Sequence, residues 1–196
     1  MLISNDFEVA QPVSKVWEFF GDIPRVAACL PGAQLTENLG DDKYNGRVAV
    51  RMGPVRLQFA GTAEIAERDE AGKRIVVHAT GAEERGRGQA SMVVTASLTP
   101  AGSGTKVAVT QDLQLAGAAA QYGRGMISDV TAVLMRDFSA NMASQIAAAE
   151  RGEPVLAGAA QAAAAPAGGL AIGLRAALMA LRRVFRRFFV PYQATS

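Results

Sequence analysis

Apolar and polar residues alternate along much of the chain, which is the pattern of β-strands with one dry face and one wet face. The alternation covers Leu2–Val9 and returns in runs between residues 44 and 115. Turn sequences such as Gly53-Pro54 separate these runs. The pattern predicts an antiparallel sheet of about seven strands.

Helical spacing interrupts and then ends the alternation. Apolar residues at helical spacing follow Pro12, and a second short helix is predicted over Ile23–Cys29. From residue 118 to residue 150, apolar side chains recur at steps of four, at Tyr122, Met126, Val130, Leu134, Phe138, Met142 and Ile146. An apolar stripe of this length must pack against another apolar surface, and the dry face of the sheet is the large apolar surface that the sequence predicts. We therefore expect an α+β helix-grip fold, with a curved antiparallel sheet wrapped round a long C-terminal helix.

Composition divides the chain into three parts. Residues 1–150 carry the periodic patterns of a folded domain, and residues 151–169 form an Ala/Gly/Pro-rich sequence that is typical of a flexible linker. Residues 170–190 are periodic again. Residues 151–196 hold 6 of the 20 basic residues and one of the 18 acidic residues, so the basic character belongs to this end. Because the body is mildly acidic, we expect no nucleic-acid partner.

The segment 170–190 predicts a basic amphipathic helix. At about 100° per residue, five large apolar side chains (Leu174, Leu178, Leu181, Phe185 and Phe188) share an arc of about 80°, and the arginines lie on the other side together with Ile172 and Met179. This arrangement suits the surface of an anionic membrane. The predicted membrane-binding residues are Leu174, Arg175, Leu178, Leu181, Arg182, Arg183, Phe185, Arg186, Arg187 and Phe188. Packing on the body or a partner, and RNA binding through the arginines, are the alternatives.

A cavity between sheet and helix would be lined by the inward positions of the strands and helices. By parity and helical spacing, the candidate lining residues are Phe20, Leu30, Tyr44, Met52, Phe59, Met92, Leu113, Tyr122, Met126, Val130, Leu134 and Phe138. Ordinary core packing is the alternative for each of them. Methionines on the long helix favour a cavity, because their flexible side chains adapt to variable apolar partners.

Reactive side chains are scarce. The chain has one Cys and one His, which is too few for an ordinary zinc site, and we expect neither a metal nor a covalent cofactor. Cys29 lies in an apolar setting without a basic neighbour, and His78 falls on the predicted wet face. The acidic pairs Asp41-Asp42 and Glu83-Glu84 are interpreted as solvated turns. These patterns predict no catalytic residues.

Several short elements together resemble the CoxG family of carbon monoxide dehydrogenase subunits. They are Val16-Trp17, Asp22, Cys29-Leu30-Pro31-Gly32, Tyr44, Gly46, Gly53-Pro54-Val55, Phe59, Gly61, Gly117, Gln121-Tyr122-Gly123-Arg124 and Phe138. The resemblance covers residues 1–150. It implies a START-like fold (SRPBCC superfamily) with a hydrophobic ligand cavity.

The resemblance also implies a function. It implies a non-enzymatic accessory protein that is peripherally bound to the cytoplasmic face of the cell membrane. Such a protein would bring a molybdenum-containing carbon monoxide dehydrogenase to that membrane and would bind a hydrophobic quinone. Tyr44 or Tyr122 would donate a hydrogen bond to a quinone carbonyl. Two alternatives stay open at this point: an assembly or maturation factor for the dehydrogenase, and a START-like enzyme such as a cyclase or hydrolase.

Overall fold

The computed structural model describes residues 1–152. The elements run in the order β1 (Leu2–Val9), α1 (Val13–Gly21), α2 (Ile23–Cys29), β2 (Ala33–Gly40), β3 (Lys43–Met52), β4 (Val55–Asp69), β5 (Arg74–Glu83), β6 (Gly88–Ala101), β7 (Gly104–Gly117) and α3 (Arg124–Glu150). The predicted linker from residue 153 onward and the predicted basic helix, with all its proposed membrane-binding residues, lie outside the described residues.

The seven strands form one antiparallel sheet in the order β1-β7-β6-β5-β4-β3-β2. The alternation predicted this sheet but missed β2, whose sequence is AQLTENLG. β2 lies at the edge of the sheet, is mostly exposed, and has register shifts after Leu35 and Asn38. An exposed edge strand with bulges buries too little of either face to need a strict alternation.

Helix α3 begins later than the spacing predicts. A short 3₁₀ turn over Ala118–Gln121 precedes it, and α3 starts at Arg124. Residues four apart drift by about 40° round a helix at each step, so a row of that spacing winds off the buried face. Met126 is therefore 43% exposed, and Tyr122 lies before the helix, half-buried against Ile127 and its neighbours. The prediction that both residues face the cavity from α3 is wrong.

The buried core is split into two clusters. The first cluster contains Val9, Val16, Phe19, Phe20, Cys29, Ile75, Ala96, Leu98, Val107, Val109, Phe138, Met142 and Ile146. The second cluster contains Ile3, Met52, Leu57, Ala119 and Ile127. Both clusters draw on the sheet and on α3, so the helix spans the interior from one to the other.

The first cluster is organised round Phe138. Its ring stands edge-on to Phe7, with centroids 6.0 Å apart, and to Phe20, with centroids 6.4 Å apart. Asn141, one turn further along α3, donates an Nδ2 hydrogen bond of 2.9 Å to the carbonyl oxygen of Cys29. These contacts fix α1 and α2 against the helix at one end of the interior.

The β5–β6 turn corrects one interpretation. Glu83 is buried rather than solvated, at 3% exposed. Its carboxylate accepts hydrogen bonds from the Arg87 guanidinium (2.7 Å) and from the backbone N–H groups of Arg85 and Arg87 (2.9 and 3.2 Å). The Arg87 hydrogen bond is the largest cause that lowers the pKa of Glu83 to about 2. This carboxylate closes the turn from inside.

Glu83→Gln is expected to weaken the fold at neutral pH and to flatten the acid limb of its stability profile. The pKa of Glu83 falls from 4.5 to about 2 in the folded protein, so its contribution is present above about pH 4.5 and is lost as pH falls towards 2. Urea unfolding at pH 7 and pH 3 measures both effects. Glu84→Gln is the matched control, because Glu84 pairs with Arg47 (3.1 Å) on the outside. Parallel pH profiles for wild type and Glu83→Gln would contradict this role.

Candidate functional site: an apolar cavity between sheet and helix

A cavity of about 470 Å³ lies between the inner face of the sheet and helix α3. Its wall includes residues of α2 and of every strand from β2 to β7. Small-molecule sites in proteins usually measure about 300–1,000 Å³, and this cavity falls within that range. The cavity therefore has the volume of a ligand site rather than that of a packing defect.

Small residues on the inner face of the sheet create much of this space. One row across neighbouring strands consists of Leu35, Gly46, Gly61, Gly81, Ala90 and Leu115. The next row places Ala63 opposite Ala79. Larger side chains at the alanine positions would extend into the space below α3. A Cβ at Gly61 or Gly81 would instead meet the backbone of the neighbouring strand, so these glycines let the strands approach closely. The glycines and alanines leave the centre of the sheet bare, while larger apolar residues close its two ends.

Ten of the twelve predicted lining residues border this cavity. They are Phe20, Leu30, Tyr44, Met52, Phe59, Met92, Leu113, Val130, Leu134 and Phe138. Tyr122 and Met126 do not border it, for the helical reason given above. The structure thus brings together residues from α1, from the end of α2, from the sheet and from α3. Their contact with a ligand stays a prediction.

Two buried polar residues also border the cavity, and the alternation pattern did not single them out. Gln111 on β7 is 6% exposed, and Thr131 on α3 is 8% exposed. The Thr131 hydroxyl donates a hydrogen bond of 2.9 Å to the carbonyl oxygen of Ile127, as helical threonines often do. The Gln111 carboxamide has no hydrogen-bond partner among the described residues. Strand parity could have revealed Gln111, because it falls between the inward residues Val109 and Leu113.

The reactive side chains lie away from this arrangement. Cys29 is fully buried in the first cluster, and burial raises the pKa of its thiol to about 11 although Arg25 opposes the shift. The prediction that it packs as a small apolar residue is confirmed. His78 is exposed, on the opposite side of β5 from the inward Val77 and Ala79. Within residues 1–152, no cluster of potential metal ligands forms.

The amino-acid sequence of this domain matches the model of a known protein family. The model of the CoxG family, a family of carbon monoxide dehydrogenase subunits, matches residues 6–147. The chain belongs to this family. CoxG proteins are accessory subunits, so membership associates the chain with carbon monoxide dehydrogenase in a supporting role. A comparison with curated proteins gives no match.

Solved structures of low identity show the fold of this CoxG domain. A conserved protein from Geobacillus kaustophilus is 22% identical, with a TM-score of 0.67 over 75% of this chain and 95% of its own. The Zhui aromatase/cyclase from Streptomyces sp. R1128 is 16% identical, with a TM-score of 0.56 over 77% and 96%. Protein Ms6760 from Mycobacterium smegmatis is 17% identical, with a TM-score of 0.53 over 76% and 92%. The predicted helix-grip, START-like fold is confirmed.

The helices of residues 1–152 differ from membrane-spanning helices. None of them combines the length and the apolar character that crossing a bilayer requires.

Proposed function

We propose that this CoxG protein carries a hydrophobic quinone, of the menaquinone or ubiquinone type, for a molybdenum-containing carbon monoxide dehydrogenase. The single observation that carries the proposal is the apolar cavity of about 470 Å³ inside a domain of this family. A quinone has an apolar ring and an isoprenoid chain, and each Å² of such surface left in water costs about 25 cal/mol. A pocket that shields this surface lets the molecule leave the bilayer and reach the enzyme's electron exit.

The proposed role is non-enzymatic. The Zhui aromatase/cyclase has the same fold, but a fold by itself does not carry chemistry. The wall of the cavity is mostly apolar, and its buried polar residues are the neutral Gln111 and Thr131. The buried Cys29 thiol, with its raised pKa, is a poor nucleophile, and His78 lies on the other face of the sheet. Binding is what such an interior supports.

The basic segment 170–190 is proposed to hold the protein at the cytoplasmic face of the cell membrane. Its sequence places Leu and Phe side chains on one side of a helix and arginines on the other. Each basic group near an anionic surface contributes about 1 kcal/mol, and each buried CH₂ about 0.8 kcal/mol. The linker 151–169 would let the carrier domain move between the membrane and the dehydrogenase.

Protein purified from its own membranes is expected to contain quinone. Organic extraction followed by mass spectrometry should recover a quinone at close to one molecule per chain, because the cavity shields the ring from water. Protein that never met membranes, then loaded with quinone in vitro, provides the reference. Purified protein without quinone, combined with a requirement for the protein only while the dehydrogenase is being made, would replace the carrier with a maturation factor.

Deleting residues 168–196 is expected to abolish binding to anionic liposomes. The full chain should co-sediment with vesicles that contain phosphatidylglycerol, and added salt should weaken the electrostatic part of this binding. Neutral phosphatidylcholine vesicles serve as the lipid control, and circular dichroism shows whether the truncated domain is folded. Equal co-sedimentation of the full and truncated chains would remove the membrane-anchor proposal.

A further inference from the structure

One polar side chain stands out in the cavity. Gln111 is 6% exposed, lines the cavity from the middle of β7, and makes no hydrogen bond to any described residue. Its carboxamide atoms are not sealed among protein atoms, so their hydrogen-bonding capacity is open to whatever occupies the cavity. A polar group in this position suits a ligand that brings its own hydrogen-bonding atoms into a mostly apolar site.

The position of Gln111 is equally specific. On β7 it lies between Val109, which belongs to the first cluster, and Leu113, which packs against the second. Its register neighbours across the sheet are the apolar Val94 on β6 and Ile3 on β1. The carboxamide therefore faces the seam between the two apolar clusters, with apolar surface on either side along the cavity.

The cavity holds no charged group that could compete with Gln111 for a ligand. Of the residues that border it, Arg47 and Glu64 are charged. Arg47 pairs with Glu84 at 3.1 Å and Glu64 with Lys43 at 3.4 Å, and both side chains are about half exposed on the outer face. An anionic headgroup such as a fatty-acid carboxylate would therefore find no positive partner inside, which favours a neutral ligand.

We propose that Gln111 is the residue that recognises the ligand's polar group, a carbonyl or hydroxyl oxygen of a neutral and otherwise apolar molecule. The inference rests on the proposed function and deepens it: the ring of the quinone would lie at the seam, and its chain would follow the apolar wall. A carboxamide presents both an NH₂ donor and a C=O acceptor. Gln111 can thus donate to a quinone carbonyl and accept from the hydroxyl of the reduced form, so it serves both forms of the ligand.

The test compares probes that differ in their oxygen atoms. The full chain is titrated with a short-chain prenylated naphthoquinone, with the prenylated naphthalene that lacks both oxygens, and with palmitate. The wild type should bind the quinone about tenfold tighter than the hydrocarbon, since one hydrogen bond to a buried group is worth about that factor. Palmitate should bind more weakly than the quinone.

Gln111→Leu should lose that preference without losing the cavity. Its affinity for the quinone should fall about tenfold, its affinity for the hydrocarbon should stay or rise, and its melting temperature should not fall, because an unpartnered polar group has gone. Gln114→Leu is the matched control, since Gln114 is an exposed glutamine three residues further along the same strand. It should keep the wild-type preference.

The outcomes separate this inference from the proposed function. If the wild type binds none of the probes, both fall together. If it binds quinone and hydrocarbon equally well, or if Gln111→Leu keeps the wild-type preference, the role of Gln111 is overturned while the carrier function stands. Preference for palmitate over both neutral probes would overturn the neutral-ligand inference directly.

Discussion

Gly61→Ala is expected to lower the melting temperature of the domain by about 6–12 °C, corresponding to roughly 3 kcal/mol of lost stability. A Cβ atom at Gly61 would lie 1.9 Å from the carbonyl oxygen of Thr80 and 2.5 Å from the Cα of Gly81. Real Cβ atoms do not approach so closely, so β4 and β5 would have to separate at this position. Backbone atoms are the obstacle, and a side-chain rotation cannot relieve it.

A glycine-to-alanine substitution in α3 should not lower the melting temperature. Gly125 is exposed in the first turn of α3, and nothing lies within 4 Å of a Cβ built there. Gly125→Ala should leave the melting temperature unchanged or raise it, because alanine favours the helix by up to about 1 kcal/mol. Differential scanning calorimetry of the two variants measures the contrast. A Gly61→Ala protein that melts within about 2 °C of the wild type would show that the strands adjust readily.

Local patterns were sufficient to predict most of the fold. The helix α2 begins and ends where its sequence predicts, at Ile23 and Cys29, because Pro24 suits its first turn and Pro31-Gly32 follows it. Strands such as Val55–Asp69 bury one face, which forces their residues to alternate. In these elements the structure depends on residues that are close together in the chain, so a local sequence pattern is enough to predict them.

The features that a local pattern missed depend on pairing between distant segments. Gly46, Gly61 and Gly81 are unremarkable singly, and they become one bare row only when the register of three strands is known. In the sequence Glu83 has the pattern of a loop residue, and only the folded structure shows its hydrogen bonds with Arg87 and two backbone N–H groups. Gln111 differs, because its inward parity was available from the strand alone. A polar residue at an inward position is as informative as an apolar one.

Filling the cavity should have the largest effect on binding. In the double variant Ala63→Leu/Ala79→Leu, two leucines would face each other across β4 and β5, with Cβ atoms about 5 Å apart, at the bare centre of the cavity wall. Together they add about six carbons, and each carbon of ligand they displace costs about 0.8 kcal/mol of burial. We expect quinone affinity to fall more than about hundredfold.

The thermal stability of the double variant should stay the same or rise, although its quinone affinity falls. Filling a cavity with apolar atoms commonly raises stability by about 0.5–2 kcal/mol, so the double variant should melt at or above the wild-type temperature. His78→Leu adds an apolar residue next to Ala79 on the opposite, exposed face, and it should leave quinone affinity unchanged. Calorimetric titration and thermal unfolding of the three proteins provide both measurements, with single Ala79→Leu as the milder variant if two leucines overfill the space. Wild-type quinone affinity in a folded, more stable double variant would place the quinone outside this cavity, since a ligand and six added carbons cannot share the same volume.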